Sequence, residues 1–366
     1  MDRCTQCILP VNYPGIQMDA HSVCQYCRQD KQKIQYNGLG TFVKEMQAFQ
    51  DKHQDRNKDF DCLLGFSGGR DSTYLLYLLT KELGLNVLCY NADHGYVPDV
   101  TKQNMSYATD ILQSKLVIEQ HDYLKQSLRH VLATWMHRPS MPMIETFCTG
   151  CKRGIESGTI KFAKKNKIPV VIRGETPFEF PNYRFNLMRL YPKEGWMSMM
   201  FGYGACVAKN PLWFMNMTYV DNQVKDFMFF HDFKSNFRKN GLILLEPFLE
   251  NIRWEEKVVM STIEKELHWS KNPRVLSSWR GDCSVALLKL YVYNNILGFN
   301  DKTEGLSYLI RDGQITRDEA LRRVTEEEQV PGDIIQEILQ GLGLKFTDFS
   351  NATERLKKNY SQGKRF

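Results

Sequence analysis

The segment Asp61-Cys-Leu-Leu-Gly-Phe-Ser-Gly-Gly-Arg-Asp-Ser-Thr-Tyr74 decides the fold. Its apolar run, residues 62–66, is typical of a buried strand. Residues 73–83 have helical character with no breaker before Gly84, so the predicted order is strand, turn, helix. Amide groups at a helix N-terminus attract anions, and glycines let a phosphate approach the backbone closely. The segment therefore predicts a phosphate-binding loop.

The turn between this strand and this helix contains the residues that would meet a nucleotide. The six consecutive candidates are Ser67, Gly68, Gly69, Arg70, Asp71 and Ser72. The serines offer hydroxyl donors, the glycines expose the backbone, and the aspartate suits a helix cap or a phosphate-bound metal ion. An ordinary strand-to-helix turn is the alternative interpretation. No Gly-x-x-x-x-Gly-Lys-Ser/Thr motif is present, so the loop is not of the Walker type.

Composition and charge indicate a globular protein. The chain has 366 residues, of which 42% are hydrophobic and 25% charged, which suits two or three packed domains. A net charge of +6 permits an anionic partner such as RNA or a sugar nucleotide but does not require one. No apolar segment opens the chain or is long enough to span a bilayer. We therefore expect a cytoplasmic protein without membrane insertion.

Four of the ten cysteines form two Cys-x-x-Cys pairs near the N-terminus. Cys4 and Cys7 are followed, after sixteen intervening residues, by Cys24 and Cys27. This spacing is typical of a zinc ribbon, in which each pair turns tightly enough to aim two sulfurs at one ion. Two disulfides or four free thiols are the alternatives, and the cytosol disfavours disulfides. Four thiolates leave no open coordination position, so the predicted zinc site is structural.

Strands and helices alternate after the loop, which predicts an α/β fold with a doubly wound parallel sheet. The further predicted strands are residues 86–91, 115–120, 168–173 and 242–245. Ligands bind beyond the carboxyl ends of such strands. Asp93, Gly174 and Glu175 follow strand ends and are therefore candidates to line the nucleotide site, with Glu175 as a base or Mg²⁺ ligand. Ordinary turn residues are the alternative interpretation of all three.

These patterns divide the chain into three expected domains. Residues 1–35 form the zinc ribbon, residues 36–255 the nucleotide-binding domain, and residues 256–366 a helical C-terminal region. An insertion near residues 181–237 is rich in aromatic residues and contains the apolar run 196–200. Arg184, Arg189 and Lys193 lie among these aromatics. We interpret the insertion as core packing, with a substrate pocket, an oligomer interface or an RNA-stacking surface as alternatives.

A third Cys-x-x-Cys pair, Cys148 and Cys151, lies between the third and fourth predicted strands. It is open to three interpretations. It forms a redox pair with a lowered thiol pKa, or half of a second zinc site, or two ligands of an iron–sulfur cluster. An iron–sulfur cluster would need a distant third cysteine. The later cysteines are Cys206 and Cys283.

The loop of residues 67–72 resembles the pyrophosphate loop, or PP-loop, of the adenylating ATP pyrophosphatases. Three further stretches narrow the resemblance. They are Cys7-Ile-Leu-Pro10 with Pro14-Gly-Ile16, Arg173-Gly-Glu-Thr-Pro177, and Ile310-Arg-Asp-Gly-Gln-Ile-Thr-Arg-Asp-Glu-Ala-Leu321. Together with the loop, these stretches resemble the N-acetyl sugar amidotransferase family of lipopolysaccharide and surface-sugar biosynthesis. The resemblance extends over most of the chain.

That resemblance implies an adenine nucleotide α-hydrolase-like fold and an ATP-dependent reaction. ATP with Mg²⁺ adenylates the acetamido oxygen of a nucleotide-activated sugar, and ammonia then displaces AMP to leave an acetamidino group. Asp71 and Glu175 are the candidate catalytic residues for this reaction. Ammonia is expected from a separate glutaminase subunit, because Asp2 rather than a cysteine follows Met1. An oligomer is compatible with the resemblance.

Sulfur transfer is the alternative reaction. Residues 280–286 read Arg-Gly-Asp-Cys-Ser-Val-Ala, where many members of the amidotransferase family carry Gly-Gly-Lys-His-Tyr-Glu-Ser. The pair Cys148 and Cys151 resembles that of the sulfur-inserting tRNA branch of the superfamily, in which such a pair and a remote third cysteine hold a [4Fe-4S] cluster. In that case Cys148 and Cys151 are catalytic, Cys283 is the third ligand, and tRNA is the partner. A nucleic-acid-binding protein with a vestigial loop is the third hypothesis.

Overall fold

The computed structural model describes residues 2–29, 35–179, 181–188, 208 and 233–363. Most of the predicted aromatic insertion lies outside these ranges. Residues 196–200, Arg189, Lys193 and Cys206 are therefore not part of the structural description. Among the helices that are described, none is long and apolar enough to cross a membrane.

Five parallel strands form one sheet in the order β3-β2-β1-β4-β5. The strands are β1 (Cys62–Gly65), β2 (Val87–Asp93), β3 (Lys115–Gln120), β4 (Val170–Ile172) and β5 (Ile243–Leu245). The strand that precedes the loop, β1, is central, and its Leu64 pairs with Cys89 on one side and Ile172 on the other. The chain builds β2 and β3 to one side of β1 and then returns to build β4 and β5 on the other.

Helices precede, connect and follow these strands. Up to β5, the helices are α1 (Gln25–Arg28), α2 (Leu39–Gln50), α3 (Arg70–Tyr77), α4 (Asp99–Ile111), α5 (Asp122–His137), α6 (Met141–Ile144), α7 (Thr149–Lys165), α8 (Asn182–Met188) and α9 (Phe233–Lys239). After β5, they are α10 (Pro247–Glu250), α11 (Glu256–Leu267), α12 (Ala286–Leu297), α13 (Asp301–Arg311), α14 (Arg317–Glu327), α15 (Gly332–Gly341) and α16 (Phe346–Ser361). The C-terminal region is helical, as predicted.

Neighbouring residues of β1 point to opposite faces of the sheet, as the pleat of a strand requires. Leu63 belongs to an apolar core shared with α7 and α9, whereas Leu64 belongs to a core shared with α3, α4 and α11. Helices therefore cover both faces of the sheet. This arrangement confirms the predicted α/β fold with a doubly wound parallel sheet.

The N-terminal segment packs against the C-terminal helices. Leu9 and Tyr13 share an apolar core with residues of α5, α12, α15 and α16. The ring of Tyr13 stacks on Phe299 with 5.7 Å between centroids, and its hydroxyl donates to Glu304 Oε2 at 2.6 Å. This core crosses the expected domain boundaries at residues 35 and 255. The division into three domains remains a prediction.

Candidate functional site

A cavity of about 320 Å³ opens at the carboxyl ends of β1 and β2 and beside the loop after β4. This is where the strand order reverses, the position at which open α/β sheets bind ligands. Its volume suits a small molecule. Ten of the predicted site residues line it: Ser67, Gly69, Arg70, Asp71, Ser72, Cys148, Cys151, Gly174, Glu175 and Cys283.

The loop of residues 67–72 has a conformation that requires its glycines. Gly68 has φ of +73°, and a Cβ placed on it would lie 2.6 Å from Met105 Cγ. Ser67 Oγ accepts a hydrogen bond from the Gly69 amide at 3.2 Å and lies 3.1 Å from Ser72 Oγ. Helix α3 begins at Arg70, so the last three residues of this loop form the first turn of the helix. Two hydroxyls and a helix N-terminus therefore border the cavity, which is the arrangement that suits a phosphate.

Asp71 stands in the first turn of α3 with its carboxylate fixed from two sides. Its Oδ1 accepts from Trp254 Nε1 at 2.8 Å and from Arg70 Nε at 3.2 Å. Burial raises the pKa of Asp71 to about 6, although the Arg70 charge lowers it, and the nearby Glu179 raises it further. The carboxylate is therefore ionised at neutral pH but protonates in mild acid.

The Arg70 side chain is held by protein groups. Its Nη1 lies 3.0 Å from Glu256 Oε1, and its guanidinium carbon lies 4.7 Å and 4.3 Å from the ring centres of Trp254 and Trp279. Glu256 also accepts two bonds from Arg323, at 2.7 Å and 3.0 Å. These contacts fix the phosphate loop to the C-terminal region. The predicted contact of Arg70 with phosphate remains a prediction.

Replacing Arg70 with lysine is expected to lower the free energy of unfolding by about 2 kcal/mol. An ammonium does not span Glu256 and both indole rings in the way the planar guanidinium does. The exposed Arg274→Lys variant, which affects a surface pair with Glu337, is the control and should lose less than about 1 kcal/mol. Urea unfolding curves of the two variants provide the measurement, and equal losses would contradict the assignment.

Asp93 lies at the end of β2 but is not among the residues that line the cavity. Its Oδ1 accepts from the Gly95 amide at 2.7 Å, and its Oδ2 lies 3.0 Å from Lys102 Nζ. Burial alone would raise the pKa of Asp93, but these two bonds outweigh it and lower the pKa. This geometry is that of a turn aspartate. The predicted contact with the nucleotide remains a prediction.

The loop after β4 approaches the phosphate loop closely. A Cβ placed on Gly174 would lie 3.2 Å from the Cα of Ser72, so a side chain there would press on the start of α3. Glu175 lines the cavity, and its Oε1 accepts a hydrogen bond from the Arg173 guanidinium. The Glu175 carboxylate at the cavity is therefore paired with a cationic side chain.

Three cysteines from two distant segments of the chain line the same cavity. Cys148 and Cys151 border it from the start of α7, and Cys283 borders it from the segment before α12. Burial raises the pKa of Cys151, and the neighbouring Cys283 and Cys148 raise it further. Burial likewise raises the pKa of Cys283 to about 11. These directions do not support a redox pair with a lowered thiol pKa at Cys151, and the role of the three cysteines remains a prediction.

The first cysteine cluster has the dimensions of a single-ion site. The Sγ atoms of Cys4, Cys7, Cys24 and Cys27 all lie within 4.8 Å of one another, and among the described residues no other group does so. Cys4 and Cys27 sulfurs are 3.9 Å apart, and Cys7 and Cys24 sulfurs are 3.7 Å apart. Zinc–sulfur bonds of about 2.3 Å in a tetrahedron imply separations of about 3.8 Å. The cluster therefore fits the predicted zinc ribbon.

Helix α14 holds this cluster against the rest of the chain. Arg317 donates to the carbonyl oxygens of Cys7 and Cys4 at 3.1 Å and 3.2 Å. The amides of Cys7 and Cys24 donate to Cys4 Sγ at 3.5 Å and 3.3 Å, which fixes the position of this sulfur. The ribbon is therefore attached to the C-terminal helices by its metal-binding turns.

Asp282 is a cavity residue that the sequence analysis did not select. Its Oδ2 would lie 3.0 Å from a Cβ on Gly69, which puts a carboxylate directly beside the phosphate loop. The preceding Arg280 has φ of +58°, an unusual backbone conformation for arginine. The sequence signal for Asp282 is its position directly before Cys283, which is itself a candidate site residue.

Fold and cavity together define an α/β protein with a glycine- and serine-containing loop, residues 67–72, beside a cavity at the carboxyl edge of a parallel sheet. Residues 288–364 match the C-terminal domain of WbpG-like LPS biosynthesis proteins. The uncharacterized protein MJ1599 of Methanocaldococcus jannaschii is 23% identical over 340 residues, which cover 88% of this chain and 99% of that protein. The chain is thus similar over most of its length to a protein whose name states no activity.

Two solved structures are similar to this chain. NMN synthetase from Francisella tularensis is 14% identical with a TM-score of 0.38, covering 77% of this chain and 89% of that one. The U34-tRNA thiolase NcsA from Methanococcus maripaludis, solved with its [4Fe-4S] cluster, is 18% identical with a TM-score of 0.35, covering 88% and 89%. Likeness at this level carries no information about the chemistry of this chain.

Proposed function

We propose that the chain is an ATP-dependent amidotransferase for surface polysaccharide biosynthesis. It adenylates the N-acetyl group of a nucleotide-activated sugar and substitutes ammonia to give an acetamidino sugar. One observation carries the proposal: a region that matches an LPS biosynthesis family is on the same chain as a PP-loop-like turn that borders a cavity. ATP, Mg²⁺ and structural Zn²⁺ are the proposed cofactors, and the cytoplasm is the proposed location.

The residues of the loop suit the first half-reaction. The N-terminus of α3 and the hydroxyls of Ser67 and Ser72 are placed to bind the phosphates of ATP. Asp71 and Asp282 present carboxylates beside the loop that are suited to hold Mg²⁺. When bound, Mg²⁺ neutralises phosphate charge. Gly174 lets the loop after β4 approach the backbone of Ser72 closely.

The reaction balances without an oxidant or reductant. The acetamido oxygen attacks the α-phosphorus, and pyrophosphate leaves. The nitrogen of ammonia then adds to the imidate carbon, AMP leaves with the former acetamido oxygen, and one proton is released. Glu175 is the proposed base for that proton, because its carboxylate lines the cavity. Ammonia comes from a separate glutaminase in this proposal.

An oxygen-label experiment tests the proposal. Protein, ATP, an ammonium salt and a UDP-linked N-acetyl sugar carrying ¹⁸O in its acetyl group are mixed, and the nucleotides are analysed by mass spectrometry. We expect AMP and pyrophosphate, with the ¹⁸O in AMP and an amidine in the sugar. Formation of ADP, or AMP without the label, would overturn the adenylation of the acetamido oxygen. Omission of the ammonium salt is the control.

Sulfur transfer to tRNA is the second candidate, and a specific observation favours it. Cys148, Cys151 and Cys283 line the cavity that the phosphate loop also lines. Four-iron clusters are held by cysteine thiolates, and a remote third cysteine completes such a site. Iron and acid-labile sulfide measured in anaerobically purified protein, with Cys283→Ala alongside, distinguish the candidates. Iron that is lost in this variant supports sulfur transfer, and zinc without iron supports the amidotransferase.

A nucleic-acid-binding protein with a vestigial loop has the least support. The ribbon that would bind nucleic acid is engaged by Arg317, and its Tyr13 is buried against Phe299. The five specified positions of the loop, all except that of Arg70, also carry the residues that the PP-loop resemblance requires. Turnover of ATP to AMP by the purified protein would rule this hypothesis out.

A further inference from the structure

His94 is a cavity residue with one ring nitrogen engaged and the other unengaged. It follows β2, lines the cavity, and is 9% exposed. Its Nδ1 accepts a hydrogen bond from the backbone amide of Tyr96 at 3.2 Å. Within the part of the chain that the structure describes, no group forms a hydrogen bond with its Nε2. A ring nitrogen without a protein partner, on a residue that lines a cavity, is available to bond to a ligand or to water.

The loop that carries His94 is fixed on both sides. Gly95 donates to Asp93, which in turn pairs with Lys102 at 3.0 Å. The carbonyl of Tyr96 accepts from the Ser284 amide at 3.1 Å, which ties the loop to the segment before α12. The imidazole ring also stacks on the Tyr96 ring with 6.3 Å between centroids. The position of the ring is therefore set before a ligand binds.

The contact with Tyr96 also fixes the tautomer of the ring. A nitrogen that accepts an amide N–H carries no proton, so the neutral ring carries its proton on Nε2. Burial lowers the pKa of His94, although the carboxylates of Asp93 and Asp282 raise it, and Lys102 lowers it further. At neutral pH the ring is thus a neutral donor, which suits an acceptor atom on the ligand.

We propose that His94 donates its Nε2–H to a phosphoryl oxygen of the nucleotide held by the loop of residues 67–72. Asp282 lies beside Gly69, and His94 lines the same cavity as Asp282 and the residues of this loop. The acceptor-rich part of a nucleotide at this loop is its phosphate chain. The inference rests on the nucleotide site of the proposed function. It adds His94 as a residue that binds the phosphate chain of the nucleotide rather than its base.

Two substitutions test the proposed Nε2–H donor of His94 separately from the contact of its Nδ1 with the Tyr96 amide. His94→Asn keeps an oxygen that can accept from the Tyr96 amide but has no atom at the position of Nε2. His94→Gln places an amide nitrogen near that position. Titration calorimetry with α,β-methylene-ATP is expected to show affinity about 10-fold or more weaker for the asparagine variant, with most of the loss restored by glutamine. Adenosine, which has no phosphate, should bind all three proteins equally.

Equal affinity of wild type and His94→Asn for α,β-methylene-ATP would overturn the inference. So would an equal loss for adenosine, because the lost contact would then not be to phosphate. If the wild type itself fails to bind the analogue, the nucleotide site of the proposed function fails instead. Thermal unfolding midpoints confirm that the variants are folded, with the exposed His137→Gln variant as the matched histidine control.

Discussion

Asp71→Asn is expected to slow the release of pyrophosphate from ATP by at least about 10²-fold. The side chain stands in the first turn of α3, and an amide in place of the carboxylate holds Mg²⁺ weakly. Its oxygen can still accept from Trp254 Nε1, so the local hydrogen bonding is retained. Pyrophosphate release under saturating ATP and nucleotide-sugar substrate provides the measurement, with Asp110→Asn on the exposed face of α4 as the control.

The pH dependence gives this prediction a second readout. Burial raises the folded-state pKa of Asp71 to about 6, so activity should fall as the pH drops through about 6 and the carboxylate protonates. A raised carboxyl pKa means that the ionised group opposes folding at neutral pH, and Asn removes that cost. We therefore expect an unfolding midpoint at neutral pH that is unchanged or higher. A variant with normal turnover would show that the carboxylate is not needed.

The local sequence predicted the strands of the sheet, but the length of each strand depends on its pairing with neighbouring strands. Residues 115–120 form β3 with the predicted bounds, and the predicted strand 86–91 lies almost wholly within β2. β2 continues to Asp93 because its pairing with β3 continues until Asp93 lies opposite Gln120. Asp93 is thereby held at the strand end, where it bonds to Gly95 and Lys102. Pairing of this kind is set by the neighbouring strand and cannot be read from one segment.

The phosphate loop was the part of the site most accessible to sequence reasoning. Its glycines and serines are consecutive, and the conformational demand on Gly68 is local. The environment of Arg70 is not local, because Trp254, Glu256 and Trp279 reach it from distant parts of the chain. Contacts between residues so far apart in sequence follow from tertiary packing.

The cysteines also show that local spacing does not predict contacts between distant parts of the chain. Two close pairs with regular spacing predicted the N-terminal cluster, because each Cys-x-x-Cys turn brings its own two sulfurs together. Cys283 was chosen as a partner of Cys148 and Cys151 on the resemblance, and all three line one cavity. The distances that would decide between a cluster and independent thiols depend on how α7 and the segment before α12 pack, which the spacing does not encode.

Removal of the N-terminal metal site is expected to destabilise the whole chain. The four sulfurs of the ribbon converge on one point, and a Cys7→Ser substitution removes one of the four ligands. We expect loss of bound zinc and a decrease in the free energy of unfolding of more than about 4 kcal/mol, because metal binding supplies folding energy to such modules. Zinc content by mass spectrometry and unfolding curves provide the measurements.

The large effect follows from where the ribbon packs. Leu9 and Tyr13 belong to the core that the C-terminal helices share, and Arg317 bonds to the ribbon's own metal-binding turns. Loss of the ion therefore exposes part of the main core rather than a separate module. Cys62→Ala is the matched control, because Cys62 is fully buried in β1 and should cost about 1–2 kcal/mol without loss of zinc. A Cys7→Ser protein that loses its zinc but unfolds like the wild type would show that the ribbon contributes little to the stability of that core.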